Sequence, residues 1–256
     1  MFTRELVLTV GISAMAFGCA AQTSETQEII DNLVQAGFPA DDMMVVDGKV
    51  YVGHDAEVSL QASREMLQVD ESAGGKEQYR ATNLVSSSVT NICVNGAAFT
   101  GVFSTALNNA IANYNGQNLS FHMTRTSGST TGCSAVITGR ISGPVGGSSG
   151  FASGGLPFPT INIGSGLSTF EVGTVTHVIT HELGHTVGFR HSDFFNRSIS
   201  CGGAATNEGD AGVGATLIPG TPSGATVGGS LMNSCFRTVE TGRFTSSDIT
   251  ALQFLY

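Results

Sequence analysis

Residues 181–191 read HELGHTVGFRH, and no other stretch narrows as sharply what the chain folds into. In a helix reaching Gly188, His181 and His185 stand one turn apart on one face, so two imidazole nitrogens can bind one metal ion from the same side. Glu182 follows the first histidine; its carboxylate lies beside such a metal without being a ligand, placed to take a proton from metal-bound water. Gly188 has no Cβ to clash in the left-handed conformation, so it can end the helix and turn the chain back to deliver His191 as a third ligand. Three neutral nitrogen donors and one open position are the donor set of a catalytic zinc. With six histidines and 34 glycines in the chain, the pattern arises by chance on the order of once in fifty thousand sequences, which favours a metal site over a buried helix with merely hydrogen-bonded histidines.

The HExxHxxGxxH pattern resembles the zinc signature of the metzincin clan of metallopeptidases. Within the clan the layout is most similar to the bacterial dual-action HEIGH metallopeptidases, the myxobacterial protease B-like family, with Leu183 in place of the isoleucine. The resemblance implies a methionine turn beneath the metal. Ser230-Leu231-Met232-Asn233-Ser234 fits, and Met232, 41 residues after His191, is the candidate. It also implies an α+β catalytic domain: a twisted, mostly parallel five-stranded sheet, an active-site helix and a C-terminal helix. One antiparallel edge strand, expected at residues 151–156, would hold an extended substrate peptide by strand pairing. The end of the chain fits the last helix, with Thr245 as N-cap, Asp248 three residues on, and Ile249, Leu252, Phe254 and Leu255 following. Some clan members use a tyrosine two residues after the methionine; Ser234 stands there, so no such role is assigned. Some block their zinc with a propeptide aspartate near a glycine, and Tyr51-Val52-Gly53-His54-Asp55 offers Asp55 or His54 for that position. The plain alternative is an exposed loop after a hairpin.

Charge divides the chain. Residues 1–80 hold 13 acidic and five basic side chains, residues 81–256 seven and six, and 27 of the 34 glycines lie in the second part. That shift, with the linker Ser72-Ala73-Gly74-Gly75-Lys76, separates an acidic pro- or accessory region (19–78) from a catalytic domain (79–256) long enough to bury a substantial core. Nothing is basic enough to suggest nucleic acid. At the start, Arg4 and the apolar residues 6–17 are too short for a mature membrane span and read as a signal peptide, 1–18. Ala16-Phe17-Gly18-Cys19 resembles a bacterial lipobox, with Phe17 where a small residue is usual. A lipid on Cys19 would anchor the protein to a bacterial membrane; cleavage after Ala20 or Ala21 would free it. The expectation is an exported monomer of the bacterial cell envelope or the extracellular space.

Without Cys19, four cysteines remain, and in an exported chain an even count suggests two disulfides. Three pairings are open. Cys93–Cys133 with Cys201–Cys235 is favoured because it sets one bridge on each side of the zinc helix. Periodicity and turn residues place helices at 24–36, 58–69 and 103–114, and the zinc helix from Val172. They place a hairpin over 43–52 around Asp47-Gly48, and strands at 79–89, near Ile92, at 119–124, 135–141 and 160–163.

These readings predict a zinc endopeptidase acting on protein or peptide substrates. One catalytic ion is held by His181, His185 and His191, and Glu182 serves as base for attack of zinc-bound water. One alternative is a thermolysin-type site in which Glu208 replaces His191. Another is an exported, non-catalytic zinc-binding or interaction module on a metzincin-like fold, against which Glu182 speaks. His177 reads as structural, because a fourth histidine would close the open position. Asp193 reads as a solvated loop carboxylate, with a hydrogen bond behind the metal ligands as the alternative. Glu208 and Asp210 offer oxygens to calcium, but no calcium-loop pattern is present. The wall of the substrate pocket is expected between His191 and Met232.

Overall fold

The computed structural model describes residues 17–68, 79–209, 216–222 and 224–256, with side chains from Ser24 onward. The signal-peptide and lipid readings, the linker at 72–76 and Asp210 fall outside the residues or side chains described.

Helix α1 (Phe17–Gln35) turns Ile29 and Leu33 inward. Strands β1 (Met44–Val46) and β2 (Lys49–Val52) pair antiparallel across Asp47 and Gly48, whose φ values of 52° and 79° are those a two-residue hairpin turn requires. β3 (Ala56–Val58) returns antiparallel to β2, and the Ser59 hydroxyl caps α2 (Leu60–Met66) by accepting from the Ala62 amide. The inward residues of these elements, Leu33, Phe38, Val50, Val52, Val58 and Met66 among them, form one small core that also takes in Ala81 and Phe151 from the rest of the chain.

β4 (Tyr79–Arg80), β5 (Asn91–Asn95), α3 (Gly101–Asn115), β6 (His122–Thr126), β7 (Ala135–Ile141), β8 (Gly147–Gly150) and β9 (Thr160–Ile163) follow. Then come α4 (Val172–Thr186), α5 (Ser198–Cys201), β10 (Thr216–Leu217) and α6 (Ser246–Leu255). β6, β5, β7 and β9 lie side by side in that order and are parallel, while β8 pairs antiparallel with β9. Strand β5, between β6 and β7, buries Ile92, Cys93 and Val94 in succession, as a strand covered on both faces must. Phe103, Leu107, Ala110, Ile111 and Tyr114 of α3 share the main core with Val175, Ile179 and Leu183 of α4. Disulfides join Cys93 to Cys133 and Cys201 to Cys235. Among the described residues, no helix is long and apolar enough to cross a membrane.

Three expectations change. The five strands are present, but β3 pairs in parallel with β8, Ala56 opposite Ser149 and Glu57 opposite Gly150, so the sheet has eight strands and β8 has no free side. The antiparallel strand lies at Gly147–Gly150, not at 151–156, where a Ser153–Leu156 bridge closes a turn instead. The strand expected at 79–89 shrinks to Tyr79–Arg80. Beyond it the chain bonds to other partners: the Ala81 amide donates to Gly188 O, and the Asn83 amide group donates to Ala62 O and Glu65.

Candidate metal centre

Helix α4 ends at Thr186, and the amides of Val187 and Gly188 donate to Gly184 O and His185 O. Gly188 has a φ of 101°, and a Cβ there would sit 2.6 Å from Asn83 O, so both the turn and the close approach call for glycine. The chain then reverses, the Arg190 amide donates to Tyr79 O, and His191 returns beside the helix.

Each histidine is held from behind. The Nδ1 of His181 lies 3.0 Å from Leu231 O, that of His185 2.8 Å from Phe189 O, and that of His191 2.8 Å from Glu208 Oε1. Carbonyl and carboxylate oxygens accept, so Nδ1 carries the proton and each Nε2 keeps its lone pair. The three Nε2 atoms converge: 3.0 Å separates those of His185 and His181, and 3.2 Å those of His191 and His181. A tetrahedral zinc with Zn–N bonds of roughly 2.0–2.1 Å spaces its donors about 3.3 Å apart, so this donor set fits the ion. Three inward lone pairs at such range repel one another unless a cation lies among them.

Asp55 offers a fourth donor atom at the same point. Its Oδ2 lies 3.0 Å from His191 Nε2 and 3.6 Å from His181 Nε2, and its Oδ1 lies 3.6 Å from His185 Nε2. One donor atom from each of the four residues falls within 4.8 Å of every other. Burial would push the Asp55 carboxyl up, yet His191 and His185 hold it well below the usual carboxylate range. Burial draws His185 down to about 3. On His191 burial acts in the same sense, but Asp55 and Glu208 outweigh it and raise the imidazole well above its usual value. The ionised carboxylates of Asp55 and Glu208 thus leave the centre with negative charge that a cation among the histidines would balance. His54, the other candidate in this segment, is half-exposed and places its Nε2 3.2 Å from Asp42 instead.

Glu182 is buried beside the histidines, and its Oε2 has no hydrogen-bond partner. Burial pushes its carboxyl well up and the charge of Asp55 adds to this, as suits a group that takes a proton. Strand β8 crosses directly over it: a Cβ on Gly147 would stand 2.4 Å from Glu182 Oε1, and the Ser149 hydroxyl donates to Glu182 O at 2.8 Å.

Met232 is buried beneath α4, so close that a Cβ on Gly184 would meet its sulfur at 2.6 Å. Helix α6 fixes this turn. Thr245 and Asp248 form the reciprocal capping box, and the Asp248 carboxylate also accepts from the Leu231 amide at 3.0 Å and the Ser230 hydroxyl at 2.6 Å. The helix cap therefore holds Leu231 O against His181.

Two acidic residues hold partners that the sequence does not display. Asp193 is fully buried rather than solvated, because it accepts from the Ser234 amide and hydroxyl at 2.8 Å and from the Ser200 hydroxyl. Glu208 stands behind His191 and not among the inward donors, so it does not replace His191 as a thermolysin-type ligand would. Sequence gives no local sign of this second partnership, since 17 residues separate the pair.

A cavity of about 270 Å³ opens beside the centre, lined by residues 53–55 and 146–147, by His177, Val178, His181 and Glu182, by Arg197, and by residues 233–236. Among the described residues between His191 and Met232 only Arg197 reaches it, and the four residues after Met232 supply part of the wall. His177 borders the cavity with a buried, unpartnered Nε2, and burial holds its imidazole down to about 3, hence neutral.

The sequence pattern of one family, described as dual-action HEIGH metallo-peptidase, matches residues 50–256, a span that begins in β2 and takes in Asp55 together with the zinc helix. Among solved structures the chain is similar to myroilysin, with 11% identity over 68% of this chain and 95% of that one, and a TM-score of 0.38. It is also similar to high choriolytic enzyme 1, a hatching-enzyme zinc-protease of the medaka fish Oryzias latipes, with 16% identity over 68% and 93% of the two chains and a TM-score of 0.39. No curated protein matches the chain.

Proposed function

This chain belongs to the dual-action HEIGH metallopeptidase family and is a zinc metalloendopeptidase, and we propose that Glu182 is its general base, with one zinc ion held by His181, His185 and His191. The observation that carries the reading is the convergence of three Nε2 atoms whose Nδ1 partners are all acceptors. When bound, zinc lowers the pKa of a coordinated water to about 7 and polarises the scissile carbonyl. Glu182 takes one proton from the attacking water as its oxygen bonds to the carbonyl carbon. It then delivers that proton to the amine nitrogen as the C–N bond breaks. Its unpartnered Oε2 is free for this task.

In the uncut chain, Asp55 would take the fourth position on a bound zinc, and β3 pairs along the side of β8, so the N-terminal region would block both the chemistry and the strand-pairing groove. Residues 19–78 thus serve as an inhibitory pro-region, with Asp55 as its latch. The protein is exported, with a lipid on Cys19; loss of fatty-acid labelling in Cys19→Ala is the expected result.

The decisive experiment incubates zinc-loaded protein, nicked within residues 69–78, with a peptide library. Cleavage that Glu182→Gln abolishes is expected. If zinc is bound at one ion per chain and nothing is cut, the protein is the non-catalytic zinc module instead.

A further inference from the structure

The geometry points to Glu208 as a positioning residue that sets how tightly the centre holds zinc. This rests on the zinc reading above and adds to it a residue outside the HExxHxxGxxH motif. Glu208 is 2% exposed, and its shortest contact is with His191: Oε1 lies 2.8 Å from Nδ1. The Ser234 hydroxyl donates to the same oxygen at 3.1 Å, whereas the cationic neighbours stand farther off, Arg197 Nε at 3.4 Å and Arg190 at 3.9 Å. A carboxylate in that place fixes the imidazole tautomer, aims Nε2 inward and makes it a stronger donor. The other two histidines have only neutral carbonyls behind them, so His191 is the one ligand with a full negative charge at its back.

The surroundings bury this contact on several sides. Gly53, at a φ of 61°, lies so close that a Cβ would stand 2.8 Å from Glu208 Oε2 and 3.0 Å from His191 Nδ1. Gly209, the next residue after Glu208, packs against the backbone of residues 37–39. The fully buried guanidinium of Arg190 lies between Phe38 at 4.5 Å and Phe194 at 5.0 Å. The N-terminal region therefore closes over Glu208 from behind while Asp55 reaches the centre from the front. Low local polarity strengthens the Glu208–His191 contact.

The test measures zinc dissociation by competition with a chromophoric chelator, and the visible spectrum of the cobalt-substituted protein, on the full chain and its variants. Glu208→Ala is expected to weaken zinc binding 10- to 100-fold and to alter the cobalt spectrum. Glu208→Gln keeps an accepting oxygen without the charge and should fall in between. A folded Glu208→Ala protein with zinc affinity within twofold of wild type overturns the proposal. Should that variant not fold, Glu208→Gln decides: several-fold weaker binding supports the role, and wild-type affinity overturns it. A wild-type chain that binds no zinc at all would instead remove the reading on which the proposal stands.

Discussion

Asp55 Oδ2 lies 3.0 Å from His191 Nε2, across 136 residues of sequence. In the mechanism proposed above, that carboxylate stands where the attacking water would enter. Each ~1.4 kcal/mol needed to displace a carboxylate held at the centre lowers the rate about tenfold. Asp55→Ala should therefore raise the peptidase activity of the uncut chain by at least about tenfold. The β3–β8 pairing remains, so activity should stay below that of the nicked protein. His54→Ala should change nothing, because His54 faces Asp42. Initial rates on a quenched fluorescent peptide check all three, and an unchanged rate in Asp55→Ala removes the latch.

Glu182 and the zinc donors are separable by substitution. Glu182→Gln keeps the volume and leaves His181, His185 and His191 untouched, so zinc content should remain at one ion per chain. Loss of a general base typically costs a factor of about 10²–10⁴, and kcat of the nicked enzyme should fall by that order. Metal analysis beside steady-state kinetics makes the distinction; loss of zinc together with activity would show Glu182 acting structurally.

The parts of this site that the sequence displays are those in which cause and effect lie within a few residues. His181, His185, Gly188 and His191 need only helical geometry and one left-handed turn to converge, and the Thr245–Asp248 box needs only one helical turn. The same Asp248 also grips Leu231, and through it His181, but that contact crosses 17 residues and depends on how α6 docks. Glu208 behind His191 and Asp55 before it are likewise products of tertiary packing. Strand β8 escapes sequence reading for a different reason. Gly147-Ser148-Ser149-Gly150 has neither alternation nor β-branched residues, and it is a strand because β9 and β3 pair with it from both sides.

Gly147 shows what that composition is for. Because a Cβ there would stand 2.4 Å from Glu182 Oε1, Gly147→Ala must displace either the base or the strand. Overpacking of this kind costs about 1–3 kcal/mol, and a displaced base loses its alignment with the attacking water. The expected outcome is a lower Tm and a reduced kcat with zinc retained. An unchanged kcat would mean that the strand gives way and Glu182 does not depend on its contact.

The two disulfides close loops of similar length, with sequence separations of 40 and 34, so chain-entropy arguments assign each about 4 kcal/mol. Their positions differ in consequence. Cys235 lines the cavity next to Phe236, and its amide donates to the Ser200 hydroxyl, which in turn donates to Asp193. Cys93–Cys133 joins β5 to the loop before β7 and contributes nothing to the cavity lining. Replacing either pair by serines should therefore lower Tm comparably. Only the Cys201–Cys235 replacement should also raise KM, because it frees the wall at residues 233–236. Thermal melts and Michaelis–Menten curves on both double variants test the contrast, and equal kinetic effects would show that the wall is held without the bridge.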